Sequence, residues 1–154
     1  MVDCRPVSTP LPTKLILKYI PGSAYERLEH YRQITGALQY LMITCPDLLY
    51  AINYLCQHMH SPLQSHYQLL KRVLRYVKGT LSLGLPIQPS SLVLTGFVDL
   101  DWATYHIDHH LITGYYTFLD NTLISWTVRK QSSIARSSTE AEYIALSIVA
   151  CDII

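Results

Sequence analysis

The hydrophobic period of this 154-residue chain changes once, close to residue 90, and that change limits what it can fold into. From Tyr25 to Gly79 apolar residues recur every three or four positions, the spacing of one buried helix face. Leu28, Tyr31, Ile34, Leu38 and Leu41 form a first stripe. Leu48, Ile52, Leu55 and Met59 form a second, with Pro46 suited to its first turn. The third begins at Ser61-Pro62-Leu63-Gln64, which reads as a capping box with proline at the first helical position, and runs through Leu70, Val73 and Val77 to Gly79. Beyond Pro86 and Pro89 the period falls to two. Leu92 to Asp101 places Leu92, Leu94, Gly96 and Val98 on one face and Val93, Thr95, Phe97, Asp99 and Asp101 on the other. Strand-like runs follow at Ile112–Leu119 and Thr122–Val128, joined by a turn at Asp120-Asn121. Ser137-Ser138-Thr139-Glu140 announces a last helix, continuing through Leu146 and Val149. Residues 1–24, broken by Pro6, Pro10, Pro12 and Pro21, read as an extended lead. The expected class is α+β: a small α-helical part at 25–85, then a sheet with one helix at 92–154.

Charge divides at the same place. Residues 1–90 hold nine Lys and Arg against four Asp and Glu, whereas residues 91–154 hold three against seven, so the overall +1 conceals two opposed halves. Half of the chain is apolar and 15% is charged, which excludes a disordered tail and supplies enough side chains for a core. Cys4, Cys45, Cys56 and Cys151 are widely spaced and form no C-x-x-C pair, which excludes a secreted disulfide scaffold and a paired-cysteine zinc site. The N-terminus lacks the apolar stretch of a signal peptide, and no apolar run approaches the roughly 20 residues that a membrane span needs. The expectation is a soluble intracellular protein of the cytoplasm or nucleus, or of the mitochondrion if organelle-encoded, with no membrane partner.

Three groups of residues bear on chemistry. Lys71, Arg72, Arg75 and Lys78 put a basic ridge on the third helix, opposite its apolar face. Such a ridge can neutralise phosphates without reading sequence, although an ordinary solvated helix face has the same pattern. Asp99 and Asp101 share a strand face, where two close carboxylates suit a hard cation such as Mg²⁺ but also suit a turn. Glu142 either completes a Thr139-x-x-Glu142 cap or, on the side shared with Leu146 and Val149, turns a third carboxylate toward the sheet. The loop His106–His110 is rich in metal-ligating types but has no partner pair at a zinc spacing. His58, His60 and His66 flank a helix junction and read as partly exposed.

Taken in order, several strings resemble the Pol polyprotein of copia-type LTR retrotransposons, including plant organellar reading frames derived from it. Tyr31-Arg32-Gln33-Ile34-Thr35-Gly36-Ala37-Leu38-Gln39-Tyr40-Leu41 resembles the family's Y-R-x-x-x-G-A-L-Q-Y-L. Cys45-Pro46-Asp47 followed by Ala51-Ile52-Asn53 is similar to R-P-D-x-x-x-A-V-N. Leu70-Lys71-Arg72-Val73-Leu74-Arg75-Tyr76-Val77-Lys78-Gly79-Thr80 follows L-K-R-[IV]-L-R-Y-[LV]-K-G-T almost letter for letter. Asp99-Leu100-Asp101-Trp102-Ala103 resembles D-x-D-W-A, and Ser137-Ser138-Thr139-Glu140-Ala141-Glu142-Tyr143 is similar to S-S-T-E-A-E-Y.

The resemblance implies the end of a reverse transcriptase up to about residue 85 and the start of an RNase H-like mixed sheet from about residue 92. It assigns Asp99 and Glu142 to catalytic, Mg²⁺-holding roles, adds Asp101 as a metal ligand, and gives the basic ridge an RNA/DNA hybrid or nucleic-acid backbone as partner. It also implies gaps. The polymerase's Y-x-D-D strand belongs upstream, and the third RNase H carboxylate belongs in a strand after Cys151-Asp152-Ile153-Ile154, with Asp152 no substitute. A basic pair and small hydroxyl residues are replaced by His109-His110-Leu111-Ile112, and a turn glycine is replaced by Asp120. The expectation is therefore a truncated Pol fragment without independent catalysis. A nucleic-acid-binding module, or an RNase H completed by a missing segment, are the alternatives. Without the strand that would flank it, the Leu92–Asp101 strand is expected to have an open edge available for self-association.

Overall fold

The helical periodicity closes into three helices and the alternating stretch into a sheet capped by a fourth. The computed structural model describes residues 3–12, 22–89, 91–101, 112–130 and 137–154, the side chains of 101, 129 and 130 excepted. Half of the proline-rich lead and the whole His106–His110 loop therefore lie outside the described residues. Two compact units divide the chain, Met1–Gly84 and Leu85–Ile154. No described helix is long and apolar enough to cross a membrane.

In the first unit, α1 spans Leu28–Gln39, α2 spans Leu49–Gln57 and α3 spans Gln64–Gly79. Two 3-10 turns, Tyr40–Ile43 and Pro46–Leu48, connect α1 to α2. The apolar stripes meet as Tyr31 and Leu38 from α1, Leu48, Ile52 and Leu55 around α2, and Leu70 and Val73 from α3. Each such aliphatic side chain contributes about 1.5–3 kcal/mol on burial. Tyr31 is buried without an orphaned polar tip, because its hydroxyl donates to Leu55 O at 3.0 Å. Burial also drives that hydroxyl's pKa well above the usual phenol value.

The first helix begins three residues later than its periodicity predicts and the third two residues later, and for α3 the cause is a long-range pairing. Ala24 bridges to Leu63, Tyr25 N–H donates to Pro62 O at 2.8 Å, and Gln64 N–H donates to Ser23 O at 2.9 Å. This pairing holds residues 61–63 outside the helix, with Leu63 extended, so Ser61 and Gln64 form no capping box. His66 instead accepts the Leu63 N–H on Nδ1 at 3.1 Å, the service that Glu or Gln performs in a capping box. His66 is buried rather than partly exposed, and its ring stacks on His58 with centroids 3.8 Å apart. Burial first, and the neighbouring His58 second, push its pKa down to about 4. His58 is only half-buried, but its Nε2 is buried and has no hydrogen-bond partner among the described residues.

In the second unit, β1 (Leu94–Asp101), β2 (Ile112–Leu119) and β3 (Thr122–Lys130) form a sheet in that order, and α4 (Ser138–Ile153) packs mainly on β1. Both strand pairs are antiparallel. The described sheet is thus not mixed, since a parallel pair needs a crossover followed by a further strand, and α4 is the last described element. Asp120, at the tip of the β2–β3 hairpin, has φ 49°, the left-handed region that glycine occupies most readily. The cap of α4 is Ser137, whose hydroxyl accepts Glu140 N–H at 3.1 Å, so a Thr139–Glu142 cap does not form.

Candidate carboxylate cleft and basic helix

The alternation of β1 puts Gly96 beneath α4, where an added Cβ would collide with Val149 Cγ1 and lie 2.7 Å from Ile153 Cδ1. The buried face of α4 is correspondingly small: Ala141, Ala145 and Val149. Leu146 is not part of that face and is exposed. A thin interface lets helix and strand approach closely, and at the N-terminal end of α4 it leaves a shallow cleft of about 310 Å³. Val98, Asp99, Leu100, Glu142, Ala145 and Leu146 line it. Asp99 and Glu142, distant in sequence, both line this one cleft, and both residues are exposed to solvent. One oxygen of Asp99 accepts the N–H of Leu100 at 2.9 Å. Asp101 continues β1 opposite Ile112, but its side chain lies outside the described residues. No cluster of three or more His, Cys, Asp or Glu suited to a metal occurs among the described residues.

The basic helix is only partly free. Lys71 lies over the Tyr67 ring, 5.0 Å from its centroid, and Tyr67 in turn stacks on Tyr25 at 4.2 Å. Arg72 donates from Nη2 to Thr9 Oγ1 at 2.8 Å, and Lys78 donates from Nζ to Cys4 O at 3.1 Å. Pro6 packs where a side chain at Gly79 would stand, 2.9 Å from that Cβ position. These contacts hold residues 4–9 against α3. Arg75 has no hydrogen-bond or ion-pair partner among the described residues, whereas its neighbour Tyr76 donates to Asp47 Oδ2 at 2.6 Å. That bond, with burial and the Asp47 charge behind it, holds the Tyr76 pKa up at about 12.

One residue set aside by sequence reasoning proves structurally engaged. Asp152 accepts hydrogen bonds from Tyr115 at 3.1 Å and Thr117 at 3.3 Å, both on β2. An acid in the last turn of a helix opposes the helix dipole, and that anomaly was the available signal.

Known proteins sharing these strings decide the family. Over 154 residues the chain is 47% identical to an uncharacterized mitochondrial protein of Arabidopsis thaliana, covering 99% of this chain and 64% of that protein. Over 144 residues it is 43% identical to the retrovirus-related Pol polyprotein from transposon RE2, and 42% identical to that from transposon RE1, both of Arabidopsis thaliana. Those matches cover 93% of this chain and 10% of each polyprotein. The chain belongs to the Pol family of copia-type retrotransposons. It is a transposon-derived Pol region, spanning under two thirds of the mitochondrial relative and a tenth of the transposon Pol polyproteins. No family model and no solved structure matches it. Within the Pol family's own strings, D-x-D-W-A supplies the β1 side of the cleft and S-S-T-E-A-E-Y supplies the α4 side.

Proposed function

We propose that this Pol region joins the end of a reverse transcriptase to an RNase H-like segment, and that by itself it does not cut nucleic acid. The convergence of Asp99 and Glu142 on one cleft carries the reading. Their oxygen-only donor sets, open to solvent, fit Mg²⁺, which takes few protein carboxylates and keeps several waters. Bound there, Mg²⁺ would supply an activated water and stabilise the leaving oxygen of an RNA phosphodiester. Asp99 would hold the ion from a rigid strand, using an oxygen not taken by Leu100 N–H, and Glu142 would hold it from the first turns of α4. Among the described residues, two carboxylates alone give such an ion a weak and underdetermined seat, and the reading of inactivity rests on that pair. Incubating the full chain with an RNA/DNA hybrid and Mg²⁺ tests this, with no cleavage above background expected. Cleavage that disappears in Asp99→Ala would overturn the inactivity and keep the site.

A second reading, backbone binding through α3, is supported by Lys71 and Arg75, which protein hydrogen bonds leave available among the described residues. Each phosphate contact adds about 0.9 to the slope of log affinity against log salt. With Arg72 and Lys78 tied to residues 4–9, duplex binding is expected to give a slope near two contacts rather than four. Equal binding after Lys71→Gln/Arg75→Gln would remove the reading.

A further inference from the structure

Consecutive residues near the end of α4 grip one cross-strand pair of the sheet. Gly96 and Thr117 face each other across β1 and β2. Ile153, with Val149 one turn earlier, sits over Gly96. Asp152 reaches the other member of the pair, taking the buried Thr117 hydroxyl on one carboxylate oxygen and the Tyr115 hydroxyl on the other. A slide or roll of the helix would lift the apolar contact off Gly96 or break both hydrogen bonds. At the opposite end of α4 the buried face offers Ala141 and Ala145, which present only methyl groups, and no comparable polar anchor of that face occurs among the described residues.

We propose that Asp152 is a positioning residue, whose two hydroxyl contacts to β2 pin the far end of α4 and so hold Glu142 beside Asp99. The inference rests on the carboxylate-cleft reading given above. Ten residues separate Glu142 from Asp152, about 15 Å of helix. Over that lever, a change of helix direction of about 10°, which the two bonds together with the Val149 and Ile153 contacts on Gly96 resist, displaces Glu142 by about 2.5 Å relative to the sheet. A metal-holding constellation has to be kept within about 0.5 Å, so a loose far end empties the site of its geometry without unfolding the helix. The dipole penalty on an acid at a helix C-terminus is offset here by two charge-assisted hydrogen bonds.

NMR of the full chain tests this with two separate readouts. The first is the nuclear Overhauser contact between the Ala145 and Val98 methyls, which line the cleft end. The second is a Mg²⁺ titration followed at the Asp99 and Glu142 side-chain carboxyl carbons. Asp152→Ala is expected to weaken the methyl contact and to raise the Mg²⁺ midpoint three- to tenfold. Asp152→Asn, which can still pair with both hydroxyls, is expected to restore both. Tyr115→Phe/Thr117→Val removes the two donors while leaving α4 unaltered, and should reproduce the alanine result even if Asp152→Ala unfolds the unit. Unchanged methyl contacts in that double variant would overturn the positioning role. If Mg²⁺ moves neither carboxyl carbon in the unaltered chain, the metal reading fails, and the methyl contacts still decide whether Asp152 sets the helix.

Discussion

Among the described residues, the fully buried side chains of Met1–Gly84 are large, with Tyr31, Leu48, Ile52, Leu55, Leu70 and Val73 leading, whereas those of Leu85–Ile154 are Thr113, Ala141 and Ala145. The first unit is held by interlocking aliphatic volume. The second is held by a ladder of strand hydrogen bonds, a close helix-to-strand approach over Gly96, and polar clasps such as Thr117 to Asp152. Among the described residues, the unit carrying the carboxylates is thus the one with the thinner apolar layer. Small side chains let α4 lie near enough to β1 for Glu142 and Asp99 to share a cleft, and the same smallness limits what burial can contribute.

The sharpest way to break this contrast is a matched truncation in each unit. Ile52→Ala is expected to destabilise the helical unit by about 3–4 kcal/mol, the usual result of a cavity in a close-packed core. Val149→Ala should cost the sheet unit about 1.5 kcal/mol, near the transfer value of the deleted carbons alone. Trp126 lies on β3 in the second unit, so tryptophan fluorescence during urea unfolding follows that unit, while the signal at 222 nm sums the three helices of the first unit with α4. Equal costs in the two units would dissolve the comparison.

Acidification separates the units by a different route. The folded-state value of His66, about 4, lies below the free imidazole's 6.5, so the unfolded chain takes up the proton first as pH falls. The stability this confers is complete above about pH 6.5 and is lost toward pH 4, by on the order of 3 kcal/mol. Protonation also removes the Nδ1 acceptor from Leu63 N–H. Helical unfolding midpoints should fall across that window and flatten in His66→Gln, which keeps an acceptor for the cap but does not titrate. A pH dependence that survives the substitution would assign it elsewhere.

The smallest expected effect is a gain. Asp120 tolerates its left-handed backbone at some cost, and Asp120→Gly should raise the sheet unit's stability by about 0.5–1 kcal/mol in the same urea experiment. No change would mean that the hairpin tip does not limit that unit.

The parts of the fold visible in the sequence are those set by local period. The helical stripes, the bounds of β2 and the hairpin at Asp120-Asn121 follow from neighbours a few residues apart. Two of the departures come from partners outside the local period. Residues 23–25 hold back the start of α3, and the ring of His58 draws His66 inward. The site divides the same way. Residue type and local spacing mark Asp99 and Glu142 as carboxylates of interest and the resemblance gives them roles, but neither places a strand residue and one on a helix forty residues later in the same cleft. Asp152 makes its contacts 35 and 37 residues back along the chain, beyond any local pattern.

The binding of residues 4–9 by Arg72 and Lys78 changes what a basic helix can testify to. Those cations hold an irregular stretch of chain in place, so mutations erasing them would loosen the fold whether or not nucleic acid was ever bound. Selection for a stable fold would by itself keep them. Positive charge on α3 therefore has a structural reason to persist that needs no bound nucleic acid.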